Sequence, residues 1–64
     1  MQPHQQRVVD EKVELDTKIA GLSLFMERPI IFGGLPELER MRLFAQRRVM
    51  VEYSNILGER ISAF

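Results

Sequence analysis

Residues His4–Ile19 read HQQRVVDEKVELDTKI, a polar opening, an apolar stripe and a lysine near the middle within about four helical turns. Val8, Leu15, Leu22 and Pro29 recur every seven residues, with Lys12, Ile19 and Met26 between them. That spacing belongs to an amphipathic helix packed on another helix. Asp10, Glu11, Glu14 and Asp16 fill the outer face, and Glu14 and Lys18 stand at the favourable i,i+4 separation. Pro3 suits a first helical turn, where its missing N–H costs nothing. Ala20, Gly21 and Ser23 lower helix propensity late in the segment and are small enough to admit a neighbouring backbone. Pro29 ends the helix and pushes Arg28 out of the α region.

Beyond that helix, PIIFGGL at 29–35 forms the connection. Gly33 and Gly34 are expected to permit the reversal by accepting positive φ. Ile30, Ile31 and Phe32 are too apolar for an idle loop, so they are expected to plug the open end of the hairpin or to touch a second chain. Pro36 then opens a second helix at its first position, with Glu37 and Glu39 in the first turn as the helix dipole prefers. Gly58 is the only later breaker, and the helix would reach roughly 40 Å. Leu43, Met50, Leu57 and Phe64 form one stripe, reinforced by Tyr53 and Ile61. Met41, Ala45, Val49, Ile56 and Ala63 form a second beside it.

The pattern predicts an all-α chain, one helical-hairpin domain over residues 1–64. Its helices run over about 4–27 and 36–63 with a loop at about 28–35, and a short or bent N-terminal helix is compatible with it. One antiparallel partner cannot cover both stripes of the second helix, so the surplus stripe predicts a homo-oligomer. Chain length agrees. A lone chain of 64 residues buries only about 60% of its unfolded surface and needs a staple. The absence of cysteine excludes disulfides and thiolate zinc sites, and a single histidine argues against a structural metal. Self-association remains.

Nine basic and nine acidic residues leave no net charge, so generic attraction to a DNA or RNA polymer or to a membrane is not expected. The longest near-apolar run, 29–36, is far short of a membrane span, and no signal peptide is visible. A cytoplasmic protein is the expectation.

Catalysis is hard to build from these residues, because a nucleophile–base pair has few candidates without cysteine and with one histidine. The carboxylates at 10, 11, 14 and 16 have the spacing of a solvated helix face. Arg40, Arg42, Arg47 and Arg48 concentrate positive charge on the second helix, balanced by Glu37, Glu39 and Glu52. Their guanidinium forks would suit a small anion if an oligomer gathered them. Lys18 reads either as a snorkelling partner of Glu14 or as a cation reaching an interface. His4 reads as an exposed histidine or as a ring free to stack on a base. In a hairpin turning at residues 31–32, His4 would lie near Gly58 and Arg60, where the glycine leaves room for a ligand or a neighbouring chain. Tyr53 and Met50 read as core.

Two segments, QQRVVDEKVELDTKIAGL and ERMRLFAQRRVMVEYSNILGERISAF, together resemble a family of short phage and prophage proteins. The family pattern is an RVxxEKxELxxKxxxL helix, a variable loop, then ExxLLxxQxxxMxxYxxxLxxRI. Arg7, Val8, Glu11, Lys12, Glu14, Leu15, Lys18 and Leu22 fit the first half; Gln46, Met50, Tyr53, Leu57, Arg60 and Ile61 fit the second. The match covers nearly the whole chain from residue 5, and its weight lies in order and spacing together. That family includes the phage anti-CBASS sponges, which bind the cyclic oligonucleotide messengers of bacterial antiviral signalling without cleaving them.

The resemblance implies a homohexamer of interlocked hairpin dimers with ligand pockets between chains, no enzymatic activity, no metal and no cofactor. It implies cyclic dinucleotides as ligands, with cyclic trinucleotides at a second type of site. In the sponges, a tyrosine near the first helix start stacks on the base and a lysine about four turns later contacts the phosphate. Lys18 fits the lysine, while the tyrosine position falls near His4, a departure that keeps a ring. The trinucleotide site uses an arginine late in the last helix, which Arg60 fits, and a threonine shortly after the lysine, where Ala20 stands. The alternative expectation is a helical interaction or assembly protein of phage origin with no small ligand.

Overall fold

A computed structural model describes residues 1–64. Three helices follow one another, α1 (Pro3–Met26), α2 (Pro29–Gly33) and α3 (Glu37–Ser62), with no strand. Along the rod Asp16 meets Ser54 and Lys12 meets Gly58, one number falling as the other rises, so α1 and α3 form an antiparallel hairpin. The molecule measures 46 × 15 × 13 Å.

α1 opens on Pro3, and the Gln5 side chain accepts the Gln2 backbone N–H at 2.9 Å. It stops because Pro29 holds Arg28 extended, at φ −84° and ψ 105°. The stretch expected to be a loop contains α2, which Pro29 itself opens; five residues are too few to show a helical period. No residue of the connection has positive φ, which corrects the role expected of Gly33 and Gly34. Gly34 sits at φ −80° and ψ −10°, but a Cβ there would lie 2.9 Å from the Ile30 carbonyl oxygen. Glycine is needed for close backbone approach, not for handedness. Pro36 precedes α3 in an extended conformation instead of occupying its first position, and Glu37, Glu39 and Arg60 lie at the ends the dipole favours.

The α1 stripe of Val8, Lys12, Leu15, Ile19, Leu22 and Met26 is shielded along its length, as are Leu43, Met50, Ser54, Leu57 and Ile61 of α3. Yet only Val8, Ser54 and Leu57 are buried, and Leu57 alone is fully enclosed. Phe32 stands edge-on between Phe25, 6.3 Å away, and Phe44, 5.5 Å away, and so plugs the loop end. Ile30 faces outward with 88% of its surface exposed, and Ile31 is half exposed. The apolar segment therefore divides, one residue inward and two outward.

Met41, Val49 and Ile56 remain more than half exposed, so α1 does not cover the second stripe. Tyr53 and Phe64, assigned from spacing to the inward stripe, also lie in the open, because Ser54 and Leu57 occupy the centre of the contact. The accessible surface of 4937 Å² exceeds the roughly 4,250 Å² of a compact 7.5 kDa protein. The hairpin leaves apolar surface uncovered.

Candidate functional site

The residues singled out from sequence lie on the rod's surface and are not assembled within one chain. His4 and Lys18 are fourteen residues apart on α1, a rise of roughly 21 Å and close to four whole turns. They share a face, His4 in the first turn and Lys18 more than two turns short of the helix end at Met26. Both are exposed, and neither makes a side-chain hydrogen bond or ion pair. The pairing of Lys18 with Glu14 that spacing allowed does not form. Ala20 is exposed, but two residues of helix turn it about 200° away from Lys18. Arg60 is exposed in the last turn of α3, at the end of the rod where α1 begins.

His4 does not stand opposite Gly58. A Cβ on Gly58 would lie 3.5 Å from Lys12 Cε, so the glycine packs against the lysine stem. The Lys12/Gly58 and Asp16/Ser54 pairs are both centred on residue 35, not on 31–32. That centre lies beyond α2, which ends at Gly33. His4 therefore lies level with a point past Ser62, where α3 stops.

The structure does assemble one polar cluster, and it was not singled out in sequence. Lys12 Nζ donates to Ser54 Oγ at 2.8 Å and to Asp16 Oδ2 at 3.0 Å, while the Ser54 hydroxyl donates to Asp16 Oδ1. The Ser54 hydroxyl, and after it the Lys12 ammonium, hold the Asp16 carboxyl below the usual carboxylate range, against a smaller opposing effect of desolvation. A serine beside a lysine could in principle be a nucleophile with its base. Here the lysine donates both of its bonds and so acts as a cation, the serine proton points at the aspartate, and Ser54 is 5% exposed. The cluster is a contact that bridges the two helices, not a reactive site. Its sequence signal is a lysine inside an apolar stripe, an aspartate four residues on, and a serine between Met50 and Leu57.

Of the five arginines of α3, Arg42 pairs with Glu39 at 2.9 Å. Arg47 and Arg48 make no ion pair and, with Phe44, Val51 and Glu52, border a shallow open concavity of about 340 Å³. All five residues come from one helix, so nothing closes over this surface. The Arg40 Nε is enclosed without a hydrogen-bond partner. No group of three or more histidine, aspartate or glutamate side chains is placed to hold a metal ion.

Neither a curated protein nor a solved structure matches the chain. The family described as Sequestin matches residues 2–63, both long helices and the whole connection between them. On that match, covering the hairpin from end to end, the chain belongs to the Sequestin family.

Proposed function

We propose that this chain is a non-enzymatic sponge that binds and sequesters cyclic di- and oligonucleotide messengers, blocking CBASS-type antiphage signalling in the bacterial cytoplasm. The family match over residues 2–63 carries the reading, since the name Sequestin points to sequestration and not to turnover. The unpaired Lys18 supports it, as a cation that its own chain leaves free.

The separation of His4 and Lys18 explains why an oligomer is needed. Two α1 helices related by a two-fold axis and running antiparallel set the His4 ring of one chain beside Lys18 of the other, twice. A cyclic dinucleotide carries two bases and two phosphates, so the duplicated ring and cation match it. The exposed Met41–Val49–Ile56 flank supplies apolar surface for assembly into a hexamer. Arg60 and Ala20 belong to a second site for cyclic trinucleotides, weakened because alanine offers no hydroxyl. A balanced total charge is no obstacle, because cations need only be gathered locally. No helix is long and apolar enough to cross a membrane.

Calorimetry with a panel of cyclic di- and trinucleotides is the decisive measurement, and no heat for any of them at high protein concentration would sink the reading. Lys18→Ala is expected to weaken dinucleotide binding by about 1.5–3 kcal/mol, the scale of a charged hydrogen bond. The uncovered flank also supports a second reading, an assembly module without a small ligand. A closed hexamer by mass favours the sponge; a monomer or dimer favours the assembly module.

A further inference from the structure

We propose that Lys12, Asp16 and Ser54 set the register of the hairpin, acting as a positioning device independent of any ligand. The apolar stripes cannot do this alone. Val8, Leu15 and Leu22 repeat every seven residues on α1, and Leu43, Met50 and Leu57 do so on α3. Sliding one helix by seven residues therefore sets apolar side chains against apolar side chains again. The polar cluster is not periodic. A slide one way brings Arg47 to the place of Ser54, a third charged group against the Lys12 ammonium, and Val51 replaces Gly58 against the lysine stem. A slide the other way brings Ile61, which can neither accept from Lys12 nor donate to Asp16. Either keeps the Lys12–Asp16 pair, which lies within α1, but breaks both bonds that Ser54 makes across the contact, a cost paid only by the wrong register. One polar contact in an apolar helical seam specifies alignment in this way.

Register fixes how far Arg60 on α3 lies along the rod from Lys18 on α1. A slip of seven residues changes that offset by roughly 10 Å.

The test uses spin labels at Glu14→Cys and Glu37→Cys, exposed positions outside the cluster and well separated along the rod. Labelled chain is diluted into unlabelled chain so that only distances within a chain are read. The otherwise native chain should give one distance. The variant Lys12→Met/Asp16→Leu/Ser54→Ala should keep its helical circular dichroism and add a population displaced by close to 10 Å. A single unchanged distance in that variant assigns the register to the Phe32 wedge and overturns the proposal. Should the triple variant lose its helical signal, Ser54→Ala and Ser54→Thr decide the matter. A second distance in the alanine variant that is missing with threonine supports the proposal, and one native distance in both overturns it.

Discussion

The two ends of the hairpin are fastened by different chemistry. Near the loop, Phe25, Phe32 and Phe44 meet edge to face, a contact that depends on area and tolerates small shifts. Toward the free end, a lysine, an aspartate and a serine meet through hydrogen bonds that fail within an ångström. The rings hold α1 and α3 together, and the polar cluster aligns them.

The largest effect should come from Leu57, the one fully enclosed side chain, one turn from Ser54. Leu57→Ala should cost about 3 kcal/mol in urea unfolding. A loss under about 1 kcal/mol would mean that hydrogen bonds alone fasten the free end, and the contrast between the ends would be one of kind with no shared apolar support.

Phe32→Ala should cost about 2 kcal/mol, less than a fully buried ring because Phe32 is only partly enclosed. Amides around residues 25–44 should lose hydrogen-exchange protection while those around Ser54 keep theirs. Equal loss at both ends would erase the distinction.

Acid should loosen the polar cluster through Asp16. The folded Asp16 carboxyl titrates below its unfolded value, so its contribution is complete above the unfolded value, about pH 4, and is lost as pH falls through the folded one. The melting temperature of the native chain should therefore fall below pH 4 more steeply than that of Asp16→Asn. Parallel curves would show that the cluster adds nothing to stability.

The smallest effect sharpens the contrast from the other side. A Cβ on Gly58 would touch Lys12 Cε at an ordinary contact distance, and the position is helical. Gly58→Ala should raise stability by up to about 1 kcal/mol in thermal melts. A fall would mean that the lysine stem cannot move without breaking its bonds to Ser54 and Asp16.

What was legible in the sequence follows the same division. Seven-residue spacing gave both long helices and the surplus stripe on α3, because periodicity reports which face is apolar, and Pro29 gave the extended Arg28. It did not give the turn's centre. A five-residue helix has no readable period, and Gly34 serves a close contact with the Ile30 carbonyl that no propensity scale records. Lys12 looked like one interruption of a stripe because its partner Ser54 is forty-two residues away. Spacing offered Glu14 as a partner for Lys18, a pair that does not form, and left His4 and Arg60 as exposed groups without a fixed role. Under the proposed assembly a contact between chains would gather them, and spacing within one chain carries no distance to another.

Three buried residues in a chain of 64 also set how long the protein lasts. A rod with so little enclosed opens locally at small cost, and cellular proteases cut in proportion to the opened population. Whatever covers the Met41–Val49–Ile56 flank withdraws chains from that population by mass action. Copies left uncovered would be cut first, so the standing amount of protein would follow covered surface and not synthesis alone.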